Sequence, residues 1–268
     1  MLVKPDFVSI LIQGVFHENT IKTIDQYINK FEIVVSTYDY PNHLINHKNL
    51  TVVHNKLKLL KGTYNRQNIY YQVNTTLNGL KKCTKTFVLK LRSDEFYSNI
   101  ESINFSDKIL TNNFLLRKWD YSPFHFSDHF ILANRNLLIN SFKDLKIFLC
   151  KRSNYLNLKN QNTPAESIIF SFIFFNKVGL CYSTEGLYKL GFENTIHFEI
   201  IDVKNLSPYI LRCSSVNHDI TDLDNFIKTD IALNLDKISK VDQMKNRSSI
   251  RKIINRIQYK LKRMYYAK

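Results

Sequence analysis

The first hundred residues alternate two kinds of apolar pattern. Continuous runs rich in aliphatic and β-branched residues, Phe7 to Ile12, Glu32 to Thr37 and Leu50 to Val53, read as strands. Between them, residues 17 to 31 set Ile21, Ile24, Ile28 and Phe31 on one helical stripe, and from about Asn65 a second stripe runs through Ile69, Val73, Leu77 and Leu80. Thr86 to Asp94 then reads as a strand that stops in a cationic, hydroxylic and acidic cluster, Arg92-Ser93-Asp94-Glu95. Strands alternating with helices of this length predict βαβ units and an α/β fold with a mostly parallel sheet flanked by helices.

The second half is less regular. Phe114 to Leu116 reads as a short strand, Trp119 to Phe126 as an aromatic loop, and Phe130 to Ala133 as another strand followed by a helix through Leu137 and Phe142. After a polar loop from Cys150 to Asn162, Thr163-Pro164-Ala165-Glu166 carries the signature of a helix start: a hydroxyl cap, Pro at the first helical position and Glu at the third. That helix runs through Phe175. From about Ser248, Ile250, Ile253, Ile254, Ile257, Leu261 and Met264 share one stripe flanked by Arg251, Lys252, Arg256, Lys260, Lys262 and Arg263, predicting a basic amphipathic C-terminal helix.

Composition changes this picture in two places. The chain has 268 residues, 44% of them hydrophobic, enough for one sizeable domain with a real core. Its net charge of +15 is uneven: residues 240 to 268 hold ten Lys and Arg against the single acid Asp242, leaving a mildly basic body. Residues 1–239 are therefore expected to form the working domain and 240–268 a basic appendage. Cys83, Cys150, Cys181 and Cys213 are scattered and read as free, mostly buried thiols of a reducing compartment. Phe7 to Phe16 is too short and too interrupted for a signal peptide, and Ser167 to Phe175 is far below the roughly 20 residues that span a bilayer. A cytoplasmic protein is expected.

Four groups of residues are candidates for chemistry. The strand ends Gln13-Gly14, Thr37 with Asp39, and Arg92-Ser93-Asp94 emerge on one edge of a parallel sheet, where α/β proteins bind ligands. There Gly14 lets a ligand approach the backbone, Asp39 can accept from a ribose or base, and Asp94 can ligate a divalent cation. Asn65-Arg66-Gln67 at a helix start suits an anionic phosphate, or is an ordinary cap with solvated neighbours. In His125-Phe126-Ser127-Asp128-His129, a strand would put the two histidines on one face and Asp128 on the other. This disfavours a zinc site and leaves Asp128 as a catalytic or acceptor-binding candidate. Glu166 is a candidate general base or a helix-capping residue, and spacing does not separate these roles. No GxxxxGK[ST], GxGxxG or GxSxG pattern is present.

The order of Gln13-Gly14, Asn65-Arg66-Gln67, Leu77-Asn78-Gly79-Leu80-Lys81-Lys82, Lys90-Leu91-Arg92-Ser93-Asp94 and Ser127-Asp128 resembles the WavE family of lipopolysaccharide-synthesis proteins over residues 7 to 175. Thr163-Pro164-Ala165-Glu166 resembles that family's late Pro-Glu element, with Ala165 inserted. The resemblance implies a glycosyltransferase of GT-A type: a Rossmann-like nucleotide-binding half over about 1–100 and an acceptor-binding half over about 101–239. It implies a nucleotide-sugar donor and a lipid-linked, cell-surface glycan acceptor of lipopolysaccharide or capsule type. Gln13, Gly14, Thr37, Asp39, Asn65, Arg66, Gln67, Arg92 and Ser93 would then face the donor, with Glu166 or Asp128 as base if the transfer inverts configuration; a retaining enzyme would need no such base. Arg92-Ser93-Asp94 stands where such enzymes carry Asp-x-Asp, so Arg92 replaces the first acid. Two readings follow: Asp94 holds Mn²⁺ or Mg²⁺, or Arg92 neutralises the diphosphate directly. The tail then suits an anionic membrane surface, placing the enzyme at the inner membrane face, the competing readings being a helix docked on its own catalytic domain or a nucleic-acid-binding tail. The competing expectation is a non-catalytic basic protein, binding nucleic acid or membrane on a degenerate transferase fold. The mildly basic body disfavours nucleic acid.

Overall fold

A computed structural model describes residues 1–39, 46–56, 63–114, 126–151, 164–178 and 198–211. The predicted C-terminal helix, the Trp119 region and His125 lie outside them. The chain enters through β1 (Val8–Gln13), α1 (Glu18–Tyr27), β2 (Glu32–Thr37) and β3 (Leu50–His54). A 3₁₀ turn (Arg66–Asn68) leads into α2 (Ile69–Leu80), followed by β4 (Phe87–Arg92) and a short β5 (Phe96–Tyr97). Then come β6 (Ile109–Asn112), β7 (Phe130–Asn134), α3 (Arg135–Cys150), α4 (Ala165–Val178), β8 (Phe198–Ile201) and β9 (Tyr209–Ile210).

Seven strands form one sheet in the order β3-β2-β1-β4-β7-β6-β8, and β5 pairs with β9 in a two-stranded ribbon. The pairs β1–β2, β1–β4, β2–β3 and β6–β8 are parallel, whereas β7 is antiparallel to both β4 and β6. The sheet is thus mostly parallel, flanked by helices and Rossmann-like. Register aligns the strand ends: Gln13 pairs with Ser36 on one side and with Arg92 on the other.

Helices cover both faces, so β1 is buried along its whole length and is apolar except at Ser9 and the terminal Gln13. Its residues nevertheless divide by pleat. Leu11 joins Val34, Val88, Val73 and Leu77 beneath α2, α3 and α4, while Ile10 and Ile12 join Ile24, Tyr27, Leu89 and Leu91 beneath α1.

Several expected elements shift. In α1, Ile21 is 46% exposed and the buried face is instead Asn19, Thr20, Thr23, Ile24 and Tyr27. Of the strand expected at Phe114 to Leu116, Leu115 and Leu116 lie outside the described residues; a strand that was not expected runs over Ile109–Asn112, and Phe114 packs beyond its end with its N–H on Asn112 Oδ1. The helix expected from Asn65 starts at Ile69, because Gln67 and Asn68 hold left-handed φ values of 53° and 59°. Asp128 and His129 precede β7 in a turn and are not part of a strand. Cys83 is buried and Cys150 exposed, both as thiols, and Cys181 and Cys213 lie outside the described residues.

Gly79 fixes how closely α2 sits on the sheet. A Cβ there would lie 2.4 Å from Leu11 Cδ1 and 2.9 Å from Ser36 Cβ. Ser36 Cβ is anchored to a central strand and cannot yield. Gly79→Ala should therefore destabilise by about 1–3 kcal/mol from overpacking, outweighing the ~1 kcal/mol that Ala gains over Gly in a helix. Urea denaturation measures the balance, and a stabilised variant would contradict the close approach.

Candidate active site

The loop leaving β4 is fixed against the ends of β1 and α1. Ser93 N donates to Gln13 O at 3.0 Å, continuing the parallel ladder one step past Arg92. Gly14 has φ +142°, and a Cβ there would meet Ser93 Oγ at 2.2 Å. Its missing side chain is thus filled by the Ser93 hydroxyl, where the sequence suggested room for a ligand. From the other side, Thr20 Oγ1 donates to Ser93 O at 3.0 Å and Asn19 Nδ2 donates to Asp94 O at 3.0 Å. Asn19 and Thr20, polar positions on the buried face of α1, are therefore holding groups for this loop.

On that scaffold Arg92 and Asp94 form a fork: Nε donates to Oδ1 at 2.9 Å and Nη2 to Oδ2 at 2.8 Å. Burial alone would raise the Asp94 pKa, but the guanidinium overrides it and holds the carboxyl below its ordinary value. Burial opposes the charge on Arg92 too, and the same bond to Asp94 reverses that, raising its pKa further.

Because β7 is antiparallel, the turn before it arrives at the edge where β4 ends. This sets Asp128 and His129 beside the fork. Lys90, only 3% exposed within β4, sits 4.0 Å from Asp128 Oδ2 and donates to the Asp128 carbonyl. Burial pulls the Lys90 pKa down and Asp128 partly restores it. His129 Nδ1 meets Glu95 Oε1 at 2.5 Å in full burial, and its ring packs edge-on against Phe114. Tyr97 donates to the other Glu95 oxygen at 2.8 Å and accepts from Asn112 at 3.1 Å. His129 Nε2 lies 3.6 Å from Asp128 Oδ1, so a chain of polar groups runs from Asn112 to Asp128.

Glu166, in the first turn of α4, completes the cluster. Its pKa is raised, first by burial and then by the negative charge of Asp128, with His129 and Arg92 pulling the other way. It is the second residue of the helix, which begins at Ala165, and Thr163 lies outside the described residues. A carboxyl poised above its usual range beside a second carboxylate is suited to proton transfer.

The structure brings Gln13, Gly14, Ser93, Arg92, Asp94, Asp128 and Glu166 to one edge. Thr37 is on that edge but buried, its hydroxyl accepting from Asp39 N at 3.1 Å, and Asp39 is exposed. Asn65 caps α2 from a distance, Oδ1 accepting from Tyr70 N at 3.0 Å, and Arg66 falls in the same 3₁₀ turn. Gln67 turns to α4, its Oε1 accepting from Ala165 N at 2.9 Å. Lys90, Glu95 and Tyr97 were not among the candidates, and His129 was one only within the His125 to His129 cluster weighed for zinc. A lysine inside an apolar strand was the legible signal for the first of them.

Asp94 was the candidate metal ligand. Both its oxygens are engaged by Arg92, and among the described residues no three His, Cys, Asp or Glu side chains converge as a cation site. As arranged, these donors do not fit a divalent ion.

No family model matches the chain, and no curated protein matches it. Among solved structures it is similar to the glycosyltransferase GlyE of Streptococcus pneumoniae, at 10% identity and a TM-score of 0.38 over 72% of this chain. The match takes in 45% of GlyE, so the chain spans less than half the length of that protein. It is also similar to a glycosyltransferase involved in glycosylation of the major capsid of PBCV-1, at 12% identity and a TM-score of 0.39, covering 78% of this chain and 93% of the other. A third likeness is to 2-C-methyl-D-erythritol 4-phosphate cytidylyltransferase of Francisella tularensis, at 12% identity and a TM-score of 0.39, covering 83% and 98% of the two chains. These likenesses are distant and assign no reaction.

The raised Glu166 carboxyl has a stability signature. Ionisation of a group whose pKa is higher in the folded than in the unfolded chain disfavours the fold. Its stability is complete below the ordinary glutamate value of about 4.3 and falls as pH rises through the folded value. Glu166→Gln should therefore raise the melting temperature at neutral and alkaline pH and leave it unchanged near pH 4. Thermal melts across that range test this, and a pH-independent or reversed difference would refute the shift.

Proposed function

We propose that this chain is a nucleotide-sugar glycosyltransferase of GT-A type, allied to the WavE proteins, that acts on a cell-surface glycan. One observation carries the reading. A guanidinium fork and a raised carboxyl meet at the carboxyl edge of a mostly parallel sheet, where a donor diphosphate and an acceptor hydroxyl would have to meet. The order of motifs shared with the WavE proteins supports the choice of sugar transfer within that chemistry.

The step follows from the residues. The acceptor oxygen attacks the anomeric carbon as the bond from that carbon to the diphosphate oxygen breaks. The electron pair of that bond leaves with the diphosphate, and the acceptor proton passes to Glu166. Asp128, held by Lys90, keeps negative charge beside Glu166 and so keeps it basic enough to take the proton. This assignment makes the transfer inverting. Arg92 commits two of the five N–H groups of its guanidinium to Asp94 and offers the others to the leaving diphosphate. Asp94 serves as the clamp that fixes the guanidinium plane. Of the two sequence readings, direct neutralisation by Arg92 suits this geometry.

Residues 248–268 we assign to an anionic membrane surface, which brings the site to a lipid-linked acceptor at the cytoplasmic face. Among the described residues no helix is long and apolar enough to cross a membrane.

Two measurements test these assignments. A panel of nucleoside diphosphates should raise the melting temperature, equally with EDTA and with Mn²⁺, and Arg92→Met should abolish the shift. No shift with any nucleotide would sink the transferase reading, and a shift seen only with Mn²⁺ would sink the arginine reading. Separately, the triple variant Arg256→Glu, Lys260→Glu, Arg263→Glu should lose binding to anionic vesicles, each basic residue being worth about 1 kcal/mol at such a surface. Its nucleotide shift should stay intact, and undiminished vesicle binding would refute the tail assignment.

A further inference from the structure

Two consecutive non-glycine residues in left-handed conformation, Gln67 and Asn68, interrupt the approach to α2. Such backbone costs of order 1–3 kcal/mol per residue and persists where the surroundings dictate it. Local capping does not account for it. Asn68 makes no side-chain cap, and the α2 N-terminus is served by Asn65 from below the turn. What the turn does achieve is to send the Gln67 side chain across to α4, where Oε1 accepts from Ala165 N at 2.9 Å. The identity of the acceptor is fixed by chemistry, since an N–H donor requires the oxygen and not the amide nitrogen.

Ala165 is the first residue of α4, and its N–H is one of the four that a helix cannot satisfy internally. The next residue is Glu166. The first turn of α4 also bonds Ile168 N to Pro164 O at 3.2 Å, so Gln67 and Pro164 together anchor the segment that carries the carboxyl.

We propose that Gln67 is a positioning residue for the transferase site: by holding Ala165 N it fixes the first turn of α4 and so keeps Glu166 against Asp128. This rests on the glycosyltransferase reading for its purpose, but not for its geometry. It replaces the expectation that Gln67 binds the donor. It also accounts for part of the Asn65-Arg66-Gln67 motif, because Asn65 caps α2 while Gln67 caps α4, two helix starts served from one turn. Among the described residues, the charged groups that act on Glu166 include Asp128 and His129 from the turn before β7 and Arg92 from the end of β4. Loosening α4 would move the carboxyl away from all three and toward water.

The test compares the full-length chain with Gln67→Ala and Gln67→Glu, the second of which retains an acceptor oxygen. Amide hydrogen exchange at Ala165 should quicken at least tenfold in the alanine variant and stay slow in the glutamate variant. The carboxyl titration of Glu166, followed by ¹³C NMR, should move down toward the ordinary glutamate range in the alanine variant. Nucleoside diphosphate affinity should be unchanged in both. In transfer assays Gln67→Ala should lower kcat about ten- to a hundredfold, the scale on which small misplacements of a reacting group act, with donor KM constant. Unaltered exchange and titration in Gln67→Ala would overturn the positioning role, and a loss of nucleotide affinity would return Gln67 to the donor. If exchange and titration respond as expected while the wild type transfers no sugar, the tie stands and the transferase reading fails.

Discussion

Everything at the candidate site depends on how β4 is paired. It lies between β1, which runs parallel to it, and β7, which runs against it. Parallel pairing with β1 brings Gln13 level with Arg92, so Gly14 and Ser93 close over each other. Antiparallel pairing with β7 brings the start of that strand to the same edge, carrying Asp128 and His129 from a distant part of the sequence. With β7 reversed to run parallel, the same residues would lie at the opposite edge and the cluster would not exist. Strand direction, set by backbone hydrogen bonding and the helices on either face, is thus prior to any of the chemistry.

The cluster also poses an electrostatic problem that the fold solves by pairing. Asp94, Glu95, Asp128 and Glu166 are four carboxyl groups in a largely dry edge, and burial of each as an isolated charge would cost several kcal/mol. Arg92 answers Asp94, Lys90 answers Asp128, and His129 with Tyr97 answers Glu95. Glu166 meets repulsion from Asp128 as well as burial, and its pKa rises accordingly. Three carboxyls are thus held by these partners, beside one whose pKa is raised. Replacing these pairs by apolar residues of similar volume would be a simpler way to fill the space.

Much of the architecture was legible because it rests on local periodicity. β1, β2, β3 and β4 follow from continuous apolar runs, and α2 from the stripe Ile69, Val73, Leu77 and Leu80. The strand ends Gln13-Gly14 and Arg92-Ser93-Asp94 could be placed on one edge because parallel pairing follows from alternating strands and helices. The reversed direction of β7 could not be read this way, since an apolar run such as Phe130 to Ala133 has no orientation. The pairing of His129 with Glu95 depends on that direction and was hidden with it. β6 went unread because Ile109 to Asn112 is short and only Ile109 and Leu110 are apolar.

The remaining misreadings have a common cause, which is that they fall on residues the site has taken over. The stripe predicted for α1 included Ile21, yet the helix turns Asn19 and Thr20 inward because the backbone of Ser93 and Asp94 needs their hydrogen bonds. The helix predicted from Asn65 begins four residues later because Gln67 is spent on α4. Gly14 was read as space for a ligand and proves to be space for Ser93. In each case a local rule was broken where a distant partner outweighed it, and each of those partners either belongs to the β4 loop or carries Glu166. Local propensity and global fold are expected to agree except where function imposes a cost. The breaks in this chain gather around a single edge of the sheet, and that is independent physical support for placing the working site there.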